Sequence, residues 1–191
     1  MSITDNERAA VAAAKVDSPE LSEQLAEAFD PRAFRNALGH YASGITIITS
    51  EVDGVPIGLT CQSFYSVSLE PPLVSFSVAT SSTTYPLIRE TGKFAVNVLS
   101  NSQTPVSTQF SRSGTDKWAG IDWVPSAGGN PLIHDTLMWL DCTIEEEVRA
   151  GDHEIVIGRV HSMSPAEWHT GEPLLFFKGK YRQLAEHSEA G

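Results

Sequence analysis

Apolar and small polar residues alternate along most of this chain, and only three short segments show helical spacing instead. The alternation centres on Gly58–Thr84, GLTCQSFYSVSLEPPLVSFSVATSSTT. Two extended runs, Ser63–Leu69 and Leu73–Ala79, meet at Glu70-Pro71-Pro72, and both are punctuated or closed by hydroxyl side chains. Period-two patterning of this kind predicts strands. It recurs at Ile45–Ser50 and Pro56–Cys61, with a turn at Asp53-Gly54 between them, and again at Phe94–Leu99. Leu137–Val148 and Glu154–Ser164 flank Ala150-Gly151-Asp152 as a long hairpin, and Leu174–Phe177 and Lys178–Leu184 complete the series.

The helical segments carry start and stop signals. Asp30 and Pro31 form a cap-then-proline start, Phe34, Leu38 and Tyr41 follow at helical spacing, and Gly44 is the expected stop. Ser81 or Ser82 is placed to cap a helix running to Arg89–Thr91 and halted by Gly92. Thr104-Pro105 starts a third, through Phe110. Ser111–Asn130 is polar, Gly-rich and long enough to be either functional or loose. Six or more short strands with few helices predict a mainly β fold, a closed antiparallel barrel with helices in its connections. Residues 1–29 are acidic and Ala-rich, an extension expected to be partly helical or disordered. Residues 30–185 form the predicted domain and 186–191 a short tail.

Composition narrows the function classes. The chain has 191 residues, 41% of them hydrophobic, and a formal net charge of −11. That charge argues against nucleic acid or an anionic membrane as the main partner, since phosphate backbones need a basic face. Cys61 and Cys142 are far apart, so neither a disulfide framework nor structural zinc is expected. No apolar run spans a bilayer and the N-terminus lacks the basic start of a secretory signal, so a cytoplasmic protein is expected. There is no G-x-G-x-x-G, and thus no support for a Rossmann nicotinamide domain.

Several groups could carry chemistry, each with a plain structural alternative. Ser81, Ser82 and Thr83 suit a phosphate, although such residues also cap helices in any protein. Thr60, Cys61, Gln62, Ser63 and Ser66 could line the edge of a flat polar ring, or simply form the outward face of strands. Cys61 reads as a small buried side chain, because no cation or histidine stands beside it in sequence. His153 shares a strand face with Ile155 and Ile157 and so meets either the core or a ligand. Asp152, as its neighbour on a strand, is expected to point the other way. The remaining histidines lack metal-ligand spacing, and no metal site is assigned. Phe110, Arg112 and Lys117-Trp118 bring aromatic and cationic groups together in an acidic chain, as do Lys178–Arg182. Either cluster offers charge to a phosphate, or is a solvated loop.

Taken in order, these segments are more specific than any one of them. Phe34-Arg35, Gly44–Thr49, Gly58-Leu59-Thr60-Cys61-Gln62-Ser63-Phe64, Ser66–Leu73, Asp116–Gly120 and Gly151-Asp152-His153 resemble the flavin reductase family. More narrowly, they resemble the reductase components of two-component flavin-dependent monooxygenases, over Pro31 to Leu184. The resemblance implies a split β-barrel homodimer with flavin at the subunit interface. It implies that NADH or NADPH reduces FMN or FAD, and that reduced flavin passes by diffusion to a separate oxygenase. Thr60–Ser63 and Ser66 would then meet the isoalloxazine and ribityl groups, and Ser81–Thr83 the phosphate. Phe110 and Lys117 would join the cofactor-binding set, with Tyr181 and Arg182 near the ligand cleft. His153 would stand by the nicotinamide as an orienting donor. Two alternatives stay open: a non-catalytic barrel that holds flavin or haem as a store or sensor, and a reductase with no oxygenase partner.

Overall fold

The computed structural model describes residues 30–184; the extension 1–29 and residues 185–191, which include the whole tail, lie outside the described part. The described residues fall into two units, one ending at His40 and the other beginning at Tyr41. Helix α1 (Pro31–Leu38) belongs to the first. Asp30 Oδ1 accepts the Arg32 N–H at 2.9 Å, and Pro31 occupies the first turn, as the sequence predicts. The helix stops at Gly39, short of the expected Gly44. Glycine is a poor helix interior residue, and Gly39 supplies the stop signal about one and a half turns before Gly44.

The second unit is mainly β. Its strands are β1 (Ser43–Gly44), β2 (Thr46–Val52), β3 (Val55–Cys61), β4 (Tyr65–Leu69), β5 (Pro72–Ala79) and β6 (Lys93–Val98), then β7 (Trp123–Pro125), β8 (Pro131–Ile133), β9 (Met138–Ala150), β10 (His153–Met163), β11 (Leu175–Phe177) and β12 (Lys180–Arg182). Helix α2 (Tyr85–Thr91) follows β5, and α3 (Thr104–Phe110) follows β6. Seven strands form one antiparallel sheet in the order β3-β2-β6-β9-β10-β5-β4. Its edges, β3 and β4, do not pair with each other, so the expected closed barrel is instead an open one, split along that seam. The two halves nonetheless share a core: Cys61 of β3, Val74, Phe76 and Val78 of β5, and Phe94 and Val96 of β6 belong to one buried cluster. Among the described residues no helix is long and apolar enough to cross a membrane.

Close packing explains two glycines. A Cβ at Gly158 on β10 would lie 2.3 Å from Phe94 Cζ, and one at Gly58 on β3 would lie 2.7 Å from Phe110 Cε1. Each buried ring thus needs bare backbone opposite it, and losing such a ring costs about 3–5 kcal/mol. Asp53 and Gly54, at φ 51° and 79°, make the predicted tight turn between β2 and β3.

One hairpin, β7–β8, lies within and just after the stretch expected to be irregular. It is held from afar. Buried Asn97 accepts the Ile133 N–H at 2.8 Å and donates to Thr49 Oγ1 at 3.0 Å, while Thr49 donates to the Pro131 carbonyl at 2.6 Å. These bonds answer polar backbone groups that burial would otherwise leave unpaired.

Candidate functional site

Strand β3 ends at Cys61, and Gln62 and Ser63 carry the chain toward β4. Alongside run the end of β5 and the start of β10, where Ala79 pairs with His153. These strand ends and Ser82 enclose a cavity of about 410 Å³, lined by Leu59, Thr60, Cys61, Gln62, Ser63, Ser77, Val78, Ala79, Ser82 and His153. Six residues singled out from sequence meet here: Thr60, Cys61, Gln62, Ser63, Ser82 and His153.

Their polar groups are not all available. The Thr60 hydroxyl donates to the Ser107 carbonyl at 2.9 Å. Ser63 Oγ donates to the Ser77 carbonyl at 2.9 Å and accepts the Ser77 N–H at 2.8 Å, fastening the β3–β4 connection to β5. Ser82 Oγ accepts the Tyr85 N–H at 3.1 Å at the start of α2, which begins at Tyr85 with no side-chain cap from Thr84. The Ser82 hydroxyl hydrogen and the Gln62 amide make no hydrogen bond among the described residues. Burial raises the pKa of Cys61 and keeps it a neutral thiol, 3.3 Å from Ser63 Oγ.

His153 departs from expectation in one respect. Its Nδ1–H donates to Asp152 Oδ1 at 2.7 Å, although neighbouring strand residues should face apart. Alternation is not yet established there, because β10 only begins at His153 and Gly151, at φ 63°, is still turning the chain. The hydrogen bond and charge of the imidazole hold the Asp152 carboxyl below its usual range. In return the carboxylate fixes the tautomer, so that in the neutral ring Nε2 accepts, where the resemblance implies an orienting donor. The turn itself is tied to the loop before α2: Thr80 gives both its N–H, at 2.9 Å, and its hydroxyl, at 3.1 Å, to the Asp152 carbonyl.

A second cavity, about 360 Å³, adjoins the first where Gly58 precedes Leu59 and Thr83 follows Ser82. Among its lining residues are Ile57, Gly58, Thr83, Thr84, Leu87, Gly114, Lys117 and Trp118. Lys117 Nζ donates to the Gly58 carbonyl at 3.2 Å and makes no ion pair among the described residues. Its burial lowers the ammonium pKa, which marks a cation short of a counter-charge. The hydroxyls of Thr83 and Thr84 have no hydrogen-bond partner among the described residues.

The other predicted residues lie apart from both cavities. Ser66 is exposed on edge strand β4, and Ser81 is exposed in the loop. Phe110 is 1% exposed, packed in the core against Gly58 and edge-to-face with Trp118, so it has no surface to offer a ligand in this chain. Tyr181 and Arg182 line a separate cavity of about 400 Å³ with Thr104 and Leu174. The Tyr181 hydroxyl is within 2.9 Å of Ser107 Oγ. Tyr181 and Arg182 therefore do not join the ring-sized cavity within one chain. Conversely, Ser77 and Ala79 line that cavity unpredicted. Their cue was period two on β5, which puts them on the face opposite Phe76.

Comparison with known proteins agrees with this geometry. The flavin reductase like domain matches residues 38–185. The chain belongs to that family. The reductase subunit HsaB of a flavin-dependent monooxygenase from Mycobacterium tuberculosis is 46% identical over 152 residues, covering 80% of this chain and 81% of the relative. The crystal structure of nitrilotriacetate monooxygenase component B from Mycobacterium thermoresistibile superposes with a TM-score of 0.81 at 41% identity, over 86% of this chain and 92% of that one. A Streptomyces globisporus NADH:FAD oxidoreductase, solved in complex with NAD and FAD fragments, aligns with a TM-score of 0.79 at 32% identity, over 84% and 96% of the two chains.

Proposed function

We propose that this chain is an NAD(P)H:flavin oxidoreductase that supplies reduced flavin to a separate monooxygenase component. The observation that carries the reading is the 410 Å³ cavity, in which strand ends of a flavin reductase family member meet the Gly151-Asp152-His153 turn. When bound, the flavin supplies the redox chemistry, accepting a hydride from the nicotinamide and carrying the electrons away. The protein supplies the seating.

Leu59, Val78 and Ala79 give a flat ring apolar contact, and the unpaired Gln62 amide meets its polar edge. Ser82, Thr83 and Thr84 offer hydroxyls to the phosphate, and Lys117 offers charge. The Nε2 atom of His153, oriented through Asp152, accepts an N–H from the nicotinamide carboxamide. No side chain here needs to act as a nucleophile, in keeping with the neutral Cys61. The second cavity leaves room beyond the phosphate, so FMN and FAD both fit the reading. NADH is favoured as donor, because the S. globisporus relative is an NADH:FAD oxidoreductase. Exposed Tyr65, Val67 and Leu69 on edge strand β4 support a homodimer, in which Tyr181 and Arg182 of one subunit approach the ring site of the other. Handover of reduced flavin by diffusion, and a cytoplasmic location, follow from the same reading. A store or sensor would have no use for the His153 turn.

Purified protein mixed with FMN or FAD and NADH or NADPH, in all four combinations, tests this by the loss of reduced-nicotinamide absorbance. Flavin-dependent oxidation with NADH is expected. Absence of flavin-dependent oxidation in every combination would overturn the reading.

A further inference from the structure

The loop Ser81–Thr84 and the turn Gly151–His153 are about 70 residues apart in sequence, yet they are fastened together at both ends of the loop. Thr80 makes the first fastening, through its two hydrogen bonds to the Asp152 carbonyl. Helix α2 makes the second. The Tyr85 hydroxyl donates to Glu147 Oε1 on β9, and Arg89 Nε donates to the same oxygen at 2.8 Å. Arg89 Nη2 donates to Glu154 Oε2 on β10. Glu154 immediately follows His153, and its partner on β5 is Val78 of the cavity wall.

A lone surface ion pair contributes little, because water screens it and two long side chains must be ordered. Arg89 is not in that position. Its planar guanidinium forks between carboxylates on two adjacent strands and lies 5.0 Å over the Tyr85 ring, which is itself 2% exposed. A lysine cannot reproduce the fork, since it carries one point charge. None of Tyr85, Arg89, Glu147 and Glu154 lines either cavity, and none has a part in the chemistry above.

We propose that Arg89 is a positioning residue: it holds the phosphate-side loop and the His153 turn in one register, so that the flavin seat and the hydride-donor seat act as a unit. The inference rests on the reductase reading. A shift of even a fraction of an ångström between two seats slows a reaction that depends on their alignment, while each seat alone still binds. Removing the fork should therefore affect the use of the donor more than the binding of flavin.

Arg89→Ala, Arg89→Lys and Glu154→Gln separate this from a merely structural role. For Arg89→Ala we expect kcat/KM for NADH to fall about five- to tenfold, mainly through kcat, while the Kd for FMN and FAD by flavin fluorescence stays within about twofold. Arg89→Lys should recover part of the loss. Glu154→Gln should give a smaller change in the same direction, and adding it to Arg89→Ala should do less than the product of the two. An unchanged kcat/KM for NADH in Arg89→Ala overturns the proposal, whatever happens to thermal stability. So does an equal weakening of flavin binding. If Arg89→Ala does not fold, an unchanged kcat/KM in both milder variants overturns it instead. Failure of the parent protein to oxidise NADH would count against the reductase reading, and is visible before any variant is made.

Discussion

Two cavities adjoin where Gly58 of one precedes Leu59 of the other, and they treat most of their hydroxyl groups in opposite ways. Around the first, hydroxyls are turned inward on the protein: Thr60 bonds to Ser107, and Ser63 makes a two-way bond with Ser77. Around the second, Thr83 and Thr84 have no partner among the described residues, and Lys117 has a single carbonyl for company. The first is thus a preshaped slot whose strand hydroxyls are committed, with the Gln62 amide and the Ser82 hydroxyl hydrogen left over. The second offers two unbonded hydroxyls and the Lys117 ammonium, with the Asp116 carboxylate on the same wall engaged by the Trp118 N–H. A flavin has both kinds of surface, a flat ring at one end and phosphate at the other, and the proposed reading gives each end its own cavity.

The contrast can be broken most directly at its catalytic edge. His153→Ala should lower kcat/KM for NADH by about tenfold or more, with flavin Kd nearly unchanged, since it removes one oriented hydrogen bond at the donor side. Steady-state kinetics matching those of the parent would remove His153 from the site. Lys117→Met, by contrast, should weaken flavin binding about tenfold, the worth of one charge-assisted contact, while KM for NADH at saturating flavin holds steady. A fluorescence titration of FMN and FAD reads it. Equal affinity in parent and variant would mean that the second cavity takes no phosphate.

The dryness of the first cavity can be compared with that of the core through two thiols. Burial, with a smaller contribution from the Asp141 charge, pushes the pKa of Cys142 up to about 12, and burial likewise raises that of Cys61. The folded chain therefore keeps protons that the unfolded chain loses from the ordinary thiol value of 9.0 upward. Stability is complete below that value and falls as pH rises beyond it, by about 1 kcal/mol for Cys142 by pH 10, with a loss of the same sign for Cys61. Melting curves from pH 8 to 10 should flatten in Cys142→Ala. An equal flattening in Cys61→Ala would mean that the ring cavity is as dry as the core, and a lesser one that water reaches it. Smallest of all, Ser63→Ala should lower stability by about 0.5–1 kcal/mol, or about 2–4 °C in Tm, because its two bonds to Ser77 sit near solvent. No loss would show that the slot does not depend on that fastening.

Much of the fold can be read in the residues, and the reasons are local. Alternation with β-branched side chains marks β2, β3, β5, β6 and the long β9–β10 hairpin, and Asp53-Gly54 permits only a tight turn. The hairpin β7–β8 escapes such reading, because its strands have three residues each, contain prolines, and are held by Asn97 and Thr49 from far along the chain. The openness of the sheet escapes too, since no residue pattern announces that β3 and β4 fail to pair. At the site, residue type identified Thr60–Ser63 and His153 but not their commitments. Whether Thr60 faces a ligand or the Ser107 carbonyl depends on a helix 47 positions away. Phe110, Tyr181 and Arg182 have suitable chemistry, but tertiary packing puts the first in the core and the others on a different cavity.

Phe110, Trp118 and Trp123 form a run of edge-to-face rings, with centroids 5.0 and 5.8 Å apart, and the middle ring lines the second cavity. The Trp118 Nε1 atom is buried with no partner, shielded from the water that reddens indole emission. Indole light overlaps the near-ultraviolet absorption of oxidised flavin. Under the proposed reading the chain therefore carries its own optical gauge of occupancy, whose emission should dim as flavin enters and recover as it leaves, with no label attached.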